Sequence, residues 1–236
     1  MRHAKTHRPI AQLLHVSKIL DGANRQTAVL DDVSFAAYPG ELVLLLGPSG
    51  SGKSTFLTIL AGLQPPSSGE VRLLGHEVRA YSLADLQNLR AEHVGFVFQT
   101  FHLIDALNAL DNILLVMQFS RGKTRDPRMR ARLLLDQCGV GYLEKAYPRT
   151  MSQGEKQRVA VARALANNPK LIIADEPTGS LSTEQGMQIV HLLKQEAVRH
   201  ERCVIIASHD QRIAAYADRV FYIQDGAVSE QTNHPA

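Results

Sequence analysis

The nine residues Gly47-Pro48-Ser49-Gly50-Ser51-Gly52-Lys53-Ser54-Thr55 constrain this chain more than any other stretch. They fit the pattern G-x-x-x-x-G-K-[ST], behind the apolar run Leu42 to Leu46 and ahead of Phe56-Leu57-Thr58-Ile59-Leu60, which reads as the opening of a helix. Small residues let successive backbone N–H groups converge on one anion, and glycines let the backbone approach it closely. Lys53 can bring a point charge to the β/γ-phosphates, and the Ser54 hydroxyl is offered to Mg²⁺. At average residue usage the pattern arises by chance in roughly one chain of this length in a hundred. A Gly/Ser-rich turn alone does not call for a buried-type strand before it and a helix after it, so the stretch reads as a phosphate-binding loop.

Composition narrows the setting. With 236 residues, 44% hydrophobic and 21% charged, the chain can build one sizeable core. A net charge of +3, with Lys and Arg dispersed, argues against a nucleic-acid-tracking surface. Cys138 and Cys203 match no metal spacing and are compatible with a reducing compartment. No apolar h-region follows the charged start, and the longest apolar runs fall far short of the roughly 20 residues a spanning helix needs.

Taken in order, the pattern predicts extended segments from Ala11 and over Ala28 to Phe35, with a polar turn at Asp21–Gln26 between them. After the loop and its helix, Glu70 to Gly75 reads as a strand, Leu83 to Glu92 as a helix, and Val94 to Phe98 as a short strand ending at Gln99. Between about Thr100 and Met151 helix formers dominate, with helices expected over Leu103–Gln118 and Arg128–Gln137 and a polar joint over Arg121–Pro127. Because the strand pattern resumes afterwards, these helices read as a lobe inserted into an α/β domain. The expected fold is a mainly parallel core sheet, an antiparallel β-layer and that inserted helical subdomain. One domain should cover 11–230, with its core in 11–99 and 163–230, the helical subdomain in 100–162, and tails at 1–10 and 231–236.

Three further sites lie at element ends. Ser152 and Glu155 have the spacing of a capping box, and a Ser followed closely by Gly154 at a helix start is also suited to an anion. Leu171 to Asp175 is a buried-type strand running into Glu176; beside a phosphate loop, the first acid can hold Mg²⁺ and the second can orient or deprotonate water. Asp210–Asp218 is expected to be helical, Arg219–Ile223 and Gly226–Val228 to form a closing hairpin. His209 follows the strand Cys203–Ser208, at the kind of sheet edge where ligands bind.

The order Gly47–Thr55, Gln99, Met151–Glu155, Leu171–Glu176 and His209 resembles the ATP-binding subunit of an ABC transporter, over about residues 11 to 230. Together with Ala174–Gly179 and Arg163-Ala164-Leu165, it is similar to the group holding the lipoprotein-releasing, MacB-type and DevA-type ATPases. The resemblance implies a P-loop NTPase that hydrolyses ATP. Gly47, Pro48, Ser49, Gly50, Ser51, Gly52, Lys53, Ser54 and Thr55 would bind the nucleotide, with Ser54, Gln99 and Asp175 on Mg²⁺. Glu176 would be the general base and His209 the γ-phosphate sensor, while Ser152 and Gly154 would cover the γ-phosphate of a second ATPase subunit, identical or different, arranged head to tail. It further implies separate transmembrane permease subunits, a periplasmic adaptor protein among the partners of that group, no nucleic acid, and a peripheral place on the cytoplasmic face of the inner membrane. A membrane partner would insert a coupling helix near Thr100 to Asn112. The competing class is a soluble ABC ATPase acting on nucleic acid or ribosomes; the chain has no second cassette and no concentrated basic surface to favour it.

The chain departs from the family pattern at three places. The signature Leu-Ser-Gly-Gly-Gln is Met151-Ser152-Gln153-Gly154-Glu155, the acid after the second motif is Ser182, and the adenine-stacking aromatic is Leu20. The expectation is slower turnover or altered coupling between the two sites.

Overall fold

The computed structural model describes residues 8–21, 26–122 and 125–231. Two sheets organise them. The first is antiparallel, in the order β2 (Gln26–Ala37), β1 (Ala11–Asp21), β4 (Ser68–Leu73), β5 (His76–Glu77). The second runs β10 (Ala227–Gln231), β9 (Arg219–Gln224), β3 (Leu42–Leu46), β8 (Cys203–Ser208), β7 (Leu171–Asp175), β6 (Val94–Phe98), and is parallel except for the β9–β10 hairpin.

Strand β3 shows why this sheet forms. All five of its residues are buried, and they alternate between two cores. Leu42, Leu44 and Leu46 join the core beneath the helical lobe, while Val43 and Leu45 join the core shared with α1 (Lys53–Leu60) and the antiparallel sheet. A strand covered on both faces needs a continuous apolar run, which is what its sequence supplies.

The other helices are α2 (Leu83–His93), α3 (Ala109–Met117), α4 (Pro127–Gln137), α5 (Gln153–Ala164) and α6 (Thr183–His200). Side chains of Ser82, Asn108, Asp126, Ser152 and Ser182 accept a backbone N–H at the start of each. Helix α3 is shorter than the expected Leu103–Gln118. Buried Asn112 holds the preceding chain in irregular form, its amide donating to the carbonyls of Ile104, Leu107 and Asn108 while its oxygen accepts from Ile104 N at 2.8 Å. The segment expected as a helix over Asp210–Asp218 is a 3₁₀ turn over Gln211–Tyr216. The boundary drawn after residue 162 falls inside α5, which continues to Ala164. The core of the turn expected at Asp21–Gln26, residues 123–124 of the polar joint, and most of both tails lie outside the described residues.

Candidate active site

Register places the site. Across the parallel sheet, Leu46 pairs with Ser208, Ala207 with Asp175, and Asp175 with Phe98, so four carboxyl-terminal strand ends lie side by side. The residues that follow these ends are Gly47, His209, Glu176 and Gln99. Sequence positions 47, 99, 176 and 209 therefore converge on one edge, the edge where open α/β sheets bind ligands.

Helix α1 alone among the six lacks a side-chain cap. Its N-cap is Gly52, in a left-handed conformation at φ 99°, where a Cβ would stand 2.9 Å from the Val29 carbonyl. At Gly47 a Cβ would lie 2.5 Å from the Ile223 carbonyl, so only glycine fits. The Ser51 hydroxyl is buried without a hydrogen-bond partner. Uncapped N–H groups, an unpartnered hydroxyl and the positive end of a helix form an anion cradle.

Lys53, buried, closes this cradle on itself. Its Nζ donates to the carbonyls of Gly47 at 2.8 Å and Pro48 at 3.0 Å, and lies 3.5 Å from Glu176 Oε1. The other Glu176 oxygen accepts from Ser208 Oγ at 3.2 Å and lies 3.0 Å from His209 Nδ1. Glu176 itself has φ 47°, a conformation non-glycine residues adopt rarely, and its N–H donates to Ala207 O at 2.9 Å. The chain thus bends sharply at the strand end and aims the carboxylate at Lys53.

Asp175 sits one residue earlier with Oδ1 buried and unpartnered. Burial pushes its carboxyl above the usual range, the Ser54 side chain opposes this, the Glu176 charge adds to the rise, and Lys53 counters it. Gln99 is held nearby: a Cβ on Gly179 would stand 2.8 Å from its side-chain nitrogen, and Ser180 Oγ donates to its carbonyl at 3.0 Å.

Ser152 and Gly154 take no part in this cluster. The Ser152 hydroxyl donates to Glu155 Oε2 at 2.8 Å and accepts from Glu155 N, and Glu155 Oε2 also accepts from Ser152 N at 2.7 Å. The Tyr142 hydroxyl donates to the other Glu155 oxygen, and these bonds hold the Glu155 carboxyl below the usual range, the Tyr142 bond first. Gly154 lies against the Gln185 amide.

Two residues of α5 reach the site loops: Gln157, which is not singled out by the sequence, and Arg163, which enters there only as part of a family-like stretch and with no role at the site. Gln157, fully buried, donates through Nε2 to Pro177 O at 2.7 Å, one residue past Glu176. Arg163 donates to the carbonyls of Phe101 and His102, just past Gln99. Their acceptors are backbone atoms, which no side-chain motif reveals.

An uncapped helix with a buried lysine and paired acids at neighbouring strand ends defines the phosphate-handling half of a nucleoside-triphosphatase. The profile of the ABC transporter family matches residues 30–179. A MacB macrolide export ATP-binding/permease protein from Hahella chejuensis is 40% identical over 228 residues, 97% of this chain but 35% of that protein. An ATP-binding protein from Staphylococcus haemolyticus named HrtA, whose name assigns it to hemin import, is 39% identical over 217 residues, 92% of this chain and 98% of that one. The dimeric cassette MJ0796 superposes with a TM-score of 0.87 at 36% identity, covering 96% of this chain and all of that chain, and its post-hydrolysis dimer holding ADP and Pi does so at 35% identity with the same TM-score and coverage. The chain belongs to the ABC transporter family, as an ATP-binding, ATP-hydrolysing cassette. It spans about a third of the length of the MacB relatives.

Proposed function

We propose that this cassette binds Mg–ATP between two ATPase subunits arranged head to tail and converts hydrolysis into movement of separate transmembrane permease subunits. The observation that carries the reading is the uncapped α1 terminus, closed by Lys53 and faced by Glu176. In this reading the loop amides and Lys53 hold the β/γ-phosphates, whose oxygens replace the carbonyls of Gly47 and Pro48 as acceptors. Glu176 takes a proton from the attacking water and His209 meets the γ-phosphate. Ser152 and Gly154 serve the nucleotide of the other subunit, consistent with their separation from Lys53 here.

The residues present suit Mg²⁺. Ser54, Gln99 and Asp175 offer hard oxygen donors, and the unpartnered Asp175 Oδ1 is a buried acceptor in need of a positive partner. When bound, Mg²⁺ would neutralise charge building on the phosphate oxygens.

A membrane partner fits a groove of about 390 Å³ between β6 and the helical lobe, lined by Phe96, Phe98, Ile104, Leu115, Val116 and Phe119 among others. Among the described residues no helix is long and apolar enough to cross a membrane. Docking there would place the cassette on the cytoplasmic membrane face, and the MacB resemblance favours export or mechanical transmission to a periplasmic adaptor. The test is phosphate release from ATP with and without Mg²⁺, together with identification of the membrane protein that co-purifies. Absence of ATP hydrolysis in the purified complex would overturn the reading.

A further inference from the structure

The loop after Gln99 is held in a conformation its residues resist. Phe101 and His102 are consecutive non-glycine residues at φ 62° and 49°, in the left-handed region. Side chains of this kind disfavour that region, so the loop needs an external restraint. Two short-range bonds, Phe101 N to Phe98 O at 3.2 Å and His102 N to Thr100 O at 2.6 Å, shape the turn, and the His102 ring stacks on Phe98 at 4.4 Å.

Ser180 holds the Gln99 carbonyl and Asn112 holds Ile104 at the two ends of the loop; the Phe101–His102 turn between them is held from outside by Arg163, in the last turn of α5. One guanidinium nitrogen donates to Phe101 O at 2.8 Å and the other to His102 O. Among the described residues Arg163 makes no ion pair with any acid, so its planar fork serves these two carbonyls. The same helix begins at Ser152 and, through Gln157, holds Pro177 beside Glu176. One rigid element thus touches the edge facing the other subunit, the loop behind the general base, and the loop behind Gln99.

We propose that Arg163 is a positioning residue that fixes Gln99 at the metal position by clamping the Phe101–His102 turn to the signature helix. Displacement of Ser152 and Gly154 on nucleotide capture is thereby passed to Gln99 and to the groove lined by Phe98 and His102. The inference rests on the ATPase reading above, but its structural half is independent of nucleotide.

The test is amide hydrogen exchange on the nucleotide-free full chain. Arg163→Lys keeps the charge and loses the planar fork. The segment 99–104 should then exchange roughly tenfold faster, the loss of one charged hydrogen bond, while β6 and the rest of α5 keep wild-type protection. With nucleotide, R163K should need roughly tenfold more Mg²⁺ for half-maximal phosphate release, from the same lost bond, and bind ATP without Mg²⁺ as the wild type does. Unchanged loop protection, or equal loss throughout α5 and β6, would each overturn the clamp. Wild-type hydrolysis, measured alongside, separates the two readings: its absence sinks the ATPase mechanism and leaves the exchange comparison to judge Arg163.

Discussion

Lys53 Nζ lies 3.5 Å from Glu176 Oε1, so the proposed phosphate-binding cation and the proposed general base face each other directly. Lys53 is buried and Glu176 half-buried where the ends of β3 and β7 meet, and each partner has other contacts: Lys53 with two loop carbonyls, Glu176 with Ser208 and His209. In the proposed reading, a triphosphate entering the cradle would draw the ammonium off the carbonyls and leave the carboxylate free to act on water.

Glu176→Gln should therefore separate binding from chemistry. The amide fills the same space and still bonds to Ser208, but cannot take a proton. We expect phosphate release to fall by about 10²–10⁴-fold, with ATP affinity equal to or above wild type because a negative charge has left the phosphate site. Single-turnover hydrolysis and equilibrium nucleotide binding check this; a variant that still hydrolyses ATP near the wild-type rate would remove Glu176 from the role.

Asp175 gives a pH dependence with a defined sign. Its carboxyl is pushed up by burial, so the folded chain binds this proton more tightly than the unfolded chain does. The stabilisation from that proton is complete below the unfolded pKa and is lost as pH rises through the raised folded value. At neutral pH the ionised, partly unpartnered group is a cost, so Asp175→Asn should raise the apo Tm by ~2–4 °C, the shift about 1 kcal/mol produces in a domain this size. The same variant should lose the stabilisation that Mg–ATP gives the wild type. Thermal unfolding between pH 5 and 8, with and without Mg–ATP, reads both; a lower apo Tm for D175N would refute the account.

Leu20 predicts weak choice of base. It pairs with Thr27 at the β1–β2 end and is 42% exposed, and the same β2 strand brings Val29 against Gly52 of the phosphate loop. A base leaving the cradle along this hairpin meets a branched alkyl group with no π-face. Leu20→Tyr should lower KM for ATP about two- to tenfold, the worth of one aromatic stack. Wild type should discriminate little between ATP and GTP, which parallel KM measurements with the two nucleotides decide.

Gln153 and Ser182 address turnover. Gln153 is exposed at the first turn of α5, and the Ser182 hydroxyl caps α6 by accepting from Gln185 N. Aspartate caps as well as serine, so Ser182→Asp should leave stability within about 0.5 kcal/mol. A rise in steady-state hydrolysis of several-fold on combining Q153G with S182D would then report on chemistry between subunits. An unchanged rate would mean these departures are tolerated.

How much of this was legible in the sequence depended on whether a residue acts through its own pattern or through distant backbone. The Gly47–Thr55 loop, the double acid after Leu171–Ala174 and the apolar strands could be read because each obeys a local rule of spacing or burial. Helix α3 was over-extended because Asn112 uses its amide to fasten five preceding residues in a non-helical path, and an asparagine inside an apolar run gives no sign of that. The roles of Gln157 and Arg163 are not legible because they hold carbonyls at Pro177, Phe101 and His102, 20 to 62 positions away, and carbonyls have no sequence identity; the Arg163-Ala164-Leu165 stretch marks the family but not this contact.

Ser152 spends its hydroxyl on Glu155 within its own chain. In the proposed head-to-tail pair, a phosphate oxygen arriving from the second subunit would compete with that carboxylate for one proton, beside a negative charge. Grip between subunits would then be gained only by giving up a contact each cassette already has when alone, and on release the serine would have its first partner waiting three residues away.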